Sequence, residues 1–264
     1  MTNHLFELAG NRKTETVIPK SKKKWYQGKP VVSAAILILI VLGCLCAELI
    51  MTKDPAYMDL LNYNKAPDRE FLFGTDTMGR DIFSMIWYGG RISLLIGFLS
   101  AAVAAVTAVI FGALSGLAPP WLDALLMRVT ELILSIPSLL IILLLQATLG
   151  EATILSLSLV IGLTGWPGIA KVVRTEVRQI RSSGYVAAAR TMGAGFFHIL
   201  RKHLTPNFLP SILFMIVMNI RNAITAESTL SFIGVGLPLK MISWGSMLSL
   251  SEQAVMTASW WIIL

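Results

Sequence analysis

A short stretch rich in glycine and charge, residues 73–81, has the sequence FGTDTMGRD. Gly74 and Gly79 have the spacing of a phosphate-binding loop, in which a lysine and then a serine or threonine follow the second glycine. Arg80 and Asp81 stand at those two positions instead, and the carboxylates of this stretch would repel a phosphate group. The pattern therefore favours a glycine turn over nucleotide binding, with Arg80 paired to a carboxylate. The residues expected to build this turn are Gly74, Asp76, Gly79, Arg80 and Asp81.

Histidine and cysteine, the side chains that most often hold zinc, do not form a ligand pattern here. His198 and His203 are five residues apart, which places them on different faces of a helix. Cys44 and Cys46 lie within an apolar segment, where neither a disulfide framework nor a zinc site is indicated. No metal site and no catalytic residue is predicted.

The composition places these residues in a membrane protein. Of the 264 residues, 55% are hydrophobic and only 14% are charged, whereas a soluble domain carries about 25% charged residues. The formal net charge of +7 could suggest a nucleic-acid partner. The basic residues cluster beside apolar segments, however, which is typical of the cytoplasmic loops of membrane proteins. The sequence predicts an all-α integral membrane protein that does not bind nucleic acid.

Apolar segments of sufficient length for a bilayer core of ~30 Å divide the chain. The predicted spans are residues 31–51, 92–117, 132–149, 152–170 and 208–226, with the start of a sixth at 260–264. A cleaved signal peptide is the alternative for the first of them, and the polar tail before it and the spans after it argue against that reading.

The charges between the spans predict the topology. Residues 1–30 form a lysine-rich tail, and residues 171–207 hold seven Lys/Arg and one acid, so both are expected in the cytoplasm. Residues 52–90 then form an extracytoplasmic loop. Residues 91–264 are predicted to be the main transmembrane domain.

Residues 185–207 are polar and basic although they lie between two apolar blocks. Residues 187–189 are three alanines, which favour a helix with little side-chain bulk. Gly193 can adopt a left-handed conformation and end that helix. A second helical run, residues 196–204, is predicted to stop at Pro206. Such a segment suits insertion into a groove of another protein, and an ordinary helical hairpin between spans is the alternative.

Two ionisable residues, Arg221 and Glu227, lie in or beside the fifth span. Ionisable side chains in membrane segments usually mark functional sites. They are about 120° apart on a helix and so need not pair with each other. Either could line a pathway or close a gate, and either could be held in a structural pair. Residues 231–238 then interrupt the helix with two glycines and a proline, which is tolerated at membrane depth where the backbone lines a cavity.

Several groups of residues resemble ABC-importer permeases. The EAA loop of that family, which seats in a cleft of the ATPase subunit, is matched at Tyr185, Val186, Ala188, Ala189, Gly193, His203, Pro206 and Asn207. Gly184 and Thr205 depart from the family pattern, which has an acid and a leucine there. The stretch 73–81, continued by 88–94, is similar to C-type permeases of dipeptide, oligopeptide and nickel importers. Further matches are Asp123, Arg128, Glu131 and Pro137, and the segments 231–238 and 243–245.

The resemblance implies a type I ABC-importer transmembrane domain of about six spans, the last truncated here. It implies a permease subunit that moves di- or oligopeptides across the cytoplasmic membrane of a prokaryote, with nickel or a metallophore as the alternative cargo. The expected partners are a homologous second permease, two ATPases and an extracytoplasmic substrate-binding protein. ATP and Mg²⁺ would bind to the ATPases and no cofactor to this chain.

Two other classes of protein are weaker fits. An ion-gradient-driven transporter would need paired ionisable residues and internal repeats, and no repeat is visible. A receptor or anchor is disfavoured by the interrupted segment 231–238.

The resemblance also predicts sites. The ATPase-docking residues are expected within residues 184–207, at Tyr185, Ala187, Ala188, Arg190, Gly193, Ala194, Phe196, Phe197 and His203. The pathway or gate candidates are Arg221, Glu227, Phe232, Gly234 and Gly236.

Overall fold

The computed structural model describes residues 31–238, 240–256 and 259–263. The predicted tail, residues 1–30, lies outside the described residues. Within these ranges most of the chain is helical, residues 51–81 form a loop, and no β-sheet is present. The helices are α1 (Val31–Leu45), α2 (Ala47–Ile50), α3 (Ile82–Leu117), α4 (Pro120–Ser135), α5 (Ser138–Leu149), α6 (Ile154–Ile180), α7 (Gly184–Thr191), α8 (Phe196–Ile199), α9 (Thr205–Phe232), α10 (Trp244–Met256) and α11 (Trp260–Ile263).

The chain divides into two units, Met1–Ile40 and Val41–Leu264, and the boundary falls within α1. The segment predicted as the first span is interrupted, because α1 ends at Leu45 and the short α2 follows. Arg91 occupies the break: its Nε donates to Cys44 O at 3.0 Å and its Nη2 to Leu45 O at 2.8 Å. These are carbonyl groups that the end of a helix leaves without intrahelical partners. The break is therefore stabilised by a side chain of α3.

Among the described residues, α3, α6 and α9 are long and apolar enough to cross a membrane, and α4 with α5 makes a fourth span if that bent pair is counted as one. The pair bends by 90°, at Ile136 and Pro137. Proline disfavours the helical conformation in the residue before it, and Ile136 is accordingly extended, with φ −100° and ψ 133°. The third predicted span is thus two helices.

Helix α3 begins at Ile82, nine residues before the domain boundary predicted at residue 91. Asp81 caps it by accepting a hydrogen bond from Ser84 N at 3.1 Å. Farther along, α3 packs closely on α6 through glycines, as its small residues predict. A Cβ at Gly112 would lie 2.6 Å from Ala170 O, and one at Gly162 would lie 2.7 Å from Ser100 O. The two backbones therefore approach too closely for any larger residue.

The prediction that Pro206 stops the second helical run is wrong. The backbone stays helical from α8 through a π-helical turn, Leu200–Leu204, and into α9. Thr205 N–H donates to Leu200 O, the i→i−5 bond of that turn. Pro206 occupies the first turn of α9, a place where helices tolerate the missing N–H group. Proline here marks the entry to the fifth span and does not end the helix before it.

One hydrophobic core joins the loop segment to the long helices. Val173 and Val177 of α6, Val186 of α7, and Leu204 and Phe208 around the start of α9 are fully buried in it. Residues 184–207, called the docking segment below, are therefore packed on the bundle and do not extend away from it.

Candidate functional site

Helix α7 has one face packed on the bundle and one face exposed. Val186 and Ala189, three residues apart, are 0% and 6% exposed. On the other side Tyr185 is 47% exposed, Ala188 is exposed and Met192 is 82% exposed. Residues spaced by three, four and seven share one face of a helix. The bundle fixes α7 in place through its buried face, so the exposed face is presented in a defined orientation.

The docking segment forms a concavity of about 590 Å³ beside that exposed face. Tyr185, Ala188 and Met192 line one side of it, and His198 and Lys202 line the other. Gly193 reverses the chain between the two sides with φ +81°. No atom lies within 4 Å of where its Cβ would be, so the backbone conformation, and not lack of space, favours glycine. The left-handed Gly193 predicted from the sequence is confirmed.

The predicted docking residues fall into three groups in the structure. Exposed residues are Tyr185, Ala187, Ala188 and Gly193. Ala194 is partly buried and packs against the core. The side chains of Arg190, Phe196, Phe197 and His203 lie outside the described part of the structure. Five further described residues line the concavity and are not among the predicted docking residues: Ala189, Met192, Gly195, His198 and Lys202. Met192 shares the spacing of Tyr185 and Ala188.

A charged junction fixes α6, the helix that leads into α7. Asp123 of α4 is buried and accepts hydrogen bonds from Arg174 Nε and Nη2, both at 2.5 Å. Ser115 Oγ, near the end of α3, donates to the same carboxylate. Such paired bonds between a guanidinium and a carboxylate are both strong and directional. Three helices therefore meet at Asp123, ahead of the docking segment.

Of the charged residues predicted to begin the helix around Asp123, only some pair with neighbours in the sequence. Arg128 pairs with Glu131 at 3.2 Å, and both side chains are exposed. Asp123 pairs with Arg174, 51 residues later in the chain. That partner could not be deduced from local spacing.

Glu227 lies in a buried polar cluster, and Arg221 does not. Glu227 is 0% exposed and accepts hydrogen bonds from Ser231 Oγ at 2.9 Å, from Ser243 Oγ at 2.7 Å and from Ser93 Oγ at 3.3 Å. These serines belong to α9, to the segment before α10 and to α3, so the carboxylate joins three parts of the fold. Arg221 is exposed and donates to Asn222 Oδ1 at 2.7 Å.

The interrupted segment 231–238 lines a second concavity, of about 720 Å³. Gly234 has φ +84°, and a Cβ on Gly236 would lie 2.4 Å from Ser231 N. Phe232 is 47% exposed at its edge. As the sequence predicts, irregular backbone lines a cavity here.

The glycine turn at residues 73–81 is held by a buried ion pair. Arg80 Nε and Nη2 lie 2.8 and 2.7 Å from Asp76 Oδ2. Asp76 Oδ1 accepts from the backbone N–H groups of Met78 and Arg80, both at 2.8 Å. In a phosphate-binding loop such N–H groups would hold the ligand. The prediction that Arg80 pairs with a carboxylate is confirmed, and these donors are occupied by the turn itself.

Comparison with known proteins places the chain in a family. Residues 108–264 match the family described as "Binding-protein-dependent transport system inner membrane component". The oligopeptide transport system permease protein OppC of Bacillus subtilis is 35% identical over 230 residues, 87% of this chain and 75% of that protein. The dipeptide permease DppC of the same organism is 34% identical over 226 residues, 86% of this chain and 70% of that protein.

A third relative, the probable D,D-dipeptide transport system permease protein DdpC of Escherichia coli, is 33% identical over 237 residues, 89% of this chain and 79% of that protein. The family consists of membrane subunits that work with a substrate-binding protein and with ATPase partners. This chain therefore belongs to the binding-protein-dependent transport system inner membrane components, and is a multi-pass permease subunit of an ABC importer in the cytoplasmic membrane.

Proposed function

We propose that this permease moves di- and oligopeptides, using ATP that two partner ATPases hydrolyse. The observation that carries the proposal is the exposed face of α7, with Tyr185, Ala188 and Met192 beside a concavity. A helix with small and apolar residues on one presented face suits a groove on a partner protein. The relatives named for oligopeptides and dipeptides support peptides as the cargo.

The assembly has this chain as one wall of the pathway and a homologous second permease as the other. ATP and Mg²⁺ bind to the ATPases, and this chain needs no cofactor of its own. The N-terminal tail and the docking segment lie in the cytoplasm, and the glycine turn lies outside. The excess of basic residues in the docking segment supports this orientation.

The mechanism is a two-state movement biased by nucleotide. ATP closes the two ATPases and draws the docked segments together. Helix α6 carries that displacement, because Arg174 ties it to Asp123 of α4 and thereby to the end of α3. The long helices then exchange between inward-open and outward-open arrangements, and residues 231–238 act at the outer gate.

The first experiment is to purify the importer from its native membrane through a tag on this chain. The expected result is recovery of two ATPases, a second permease and a binding protein, in a complex that imports labelled peptide with ATP. Uptake of nickel without peptide would overturn the assignment of cargo. Recovery of this chain alone, transporting under an ion gradient, would overturn the mechanism.

The docking face is tested by Ala188→Trp. An indole on a face that fits a groove causes overpacking of about 1–3 kcal/mol, so we expect roughly 5- to 150-fold weaker retention of the ATPases. Gln179→Trp is the control, since Gln179 is exposed on α6 outside this face. If Ala188→Trp retains the ATPases as the control does, the docking face has been misplaced.

A further inference from the structure

Helix α9 carries polar side chains on an exposed face near its middle. Arg221, Asn222 and Thr225 are all exposed, and Arg221 lies about 24 Å from the start of the helix and about 17 Å from its end. Phe214 and Val217, seven and four residues before Arg221, are also exposed. A cation and an amide are costly in contact with lipid tails. The part of this face around Arg221 is therefore turned towards water or protein and not towards the bilayer.

A groove of about 410 Å³ lies beside this face, between α5, α6 and α9. Its polar lining includes Thr164, Asn219 and Asn222, among apolar side chains such as Met218. Asn219 Nδ2 donates to Gly165 O at 3.1 Å, which fixes the orientation of that amide. The volume is in the range of sites that bind small organic ligands, about 300–1,000 Å³. The groove has the size and the mixed lining of a site for a short peptide.

Arg221 does not itself line this groove, but its guanidinium group is hydrogen-bonded to Asn222, which does, and so places a positive charge next to it. Its Nη2 donates to Asn222 Oδ1 at 2.7 Å, and Asn222 lines the groove. No ion pair to Arg221 is present in the part of the chain that the structure describes. A guanidinium group has five N–H donors and binds carboxylates in a paired geometry. Most of those donors remain available to a ligand.

We propose that this groove is a transit site for peptides, in which Arg221 binds the C-terminal carboxylate of the peptide and Asn219 and Asn222 contact its backbone amides. The inference rests on the proposed function and adds to it a residue that selects for charge. A peptide fits because it combines a carboxylate with amide groups that hydrogen-bond to amide side chains. The binding protein would select peptides first, and the permease would then select among them a second time, for a free C-terminal carboxylate.

The test uses the complete importer in sealed vesicles, with ATP and saturating binding protein. The probes are a labelled peptide with a free carboxylate and its C-terminal amide, both chosen because the isolated binding protein binds them. Arg221→Gln is expected to lower uptake of the free peptide by about tenfold or more and to leave the amide unchanged within about twofold. Arg221→Lys keeps the charge but not the paired geometry, so its uptake of the free peptide is expected to lie between those of the wild type and Arg221→Gln.

Arg69→Gln is the control, since Arg69 is an exposed arginine of the loop before α3. It is expected to leave the ratio of the two uptake rates unchanged. An equal fall for both peptides in Arg221→Gln would overturn the inference, because Arg221 would then pair with another chain or serve the structure alone. No fall for either peptide would overturn it as well. A wild-type importer that moves neither peptide would overturn the proposed function itself.

Discussion

Arg174 and Arg178 allow the charged junction at Asp123 to be tested by the same substitution at two places. Both lie on α6 and face the same carboxylate. Arg174 makes two bonds of 2.5 Å to Asp123 and its side chain is 24% exposed, whereas Arg178 lies 3.6 Å away and is 41% exposed. Changing either arginine to glutamine removes one positive charge from the same helix. A difference in stability between the two variants therefore reports the contact geometry and not the loss of charge.

The expected magnitudes differ. Arg174→Gln removes two charge-assisted bonds of about 1.5–3 kcal/mol each. Glutamine can replace one of them with a neutral bond, and water reaches the partly exposed site. We therefore expect a net loss of about 2–3 kcal/mol. Arg178→Gln breaks a longer and more exposed contact, of the kind that contributes about 0–1 kcal/mol.

The assay is the apparent melting temperature of the purified complex in detergent, measured at low and at high salt. For chains of this size 1 kcal/mol corresponds to about 2–4 °C, so Arg174→Gln should melt roughly 4–12 °C lower and Arg178→Gln less than about 4 °C lower. High salt should reduce the effect of Arg178→Gln more, because exposed pairs are screened. Equal shifts for the two variants would refute the reasoning, since charge alone would then account for both.

Three further substitutions test other contacts. Gly79→Ala places a Cβ 1.8 Å from Asp59 O at a φ of +73°. We expect about 1–3 kcal/mol of strain and therefore faster proteolysis of this loop. An unchanged rate of cleavage would contradict this geometry. Glu227→Gln keeps an oxygen for the serine hydroxyls and should melt near the wild type, whereas Glu227→Ala should melt lower, and equal melting of the two would argue against the polar cluster. Gly162→Val should force α3 away from α6, near Ser100, and lower the yield of folded protein; a normal yield would show that the helices can separate.

Local patterns predicted the parts of the fold that depend on neighbours in sequence. Gly193 reverses the chain as expected, and Arg80 pairs with Asp76 four residues away. The patterns failed where the partner is distant. The bond between Asp123 and Arg174 and the polar cluster around Glu227 join helices that only tertiary packing brings together.

The breaks in helices show the same limit. The sequence predicts one span over residues 132–149, and the structure breaks it at Pro137, through the conformational restriction on the residue before a proline. The angle of 90° between the two helices depends on packing. Pro206 has the same chemistry and ends no helix, because the π-helical turn before it rearranges the backbone hydrogen bonds. A proline therefore restricts the backbone conformation next to it but does not by itself determine whether a helix ends there.

The number of residues in the π-helical turn at Leu200–Leu204 also determines how α7 is oriented relative to α9. A turn with i→i+5 bonds holds one residue more than an α-helical turn, and one residue corresponds to about 100° of rotation around a helix. Deleting a single residue here would allow a regular helix but would turn α7 by about a quarter of a circle relative to α9. Val186, which is fully buried in the core, would then lose its position there. Among homologous chains, substitutions should therefore accumulate in this turn while insertions and deletions are selected against.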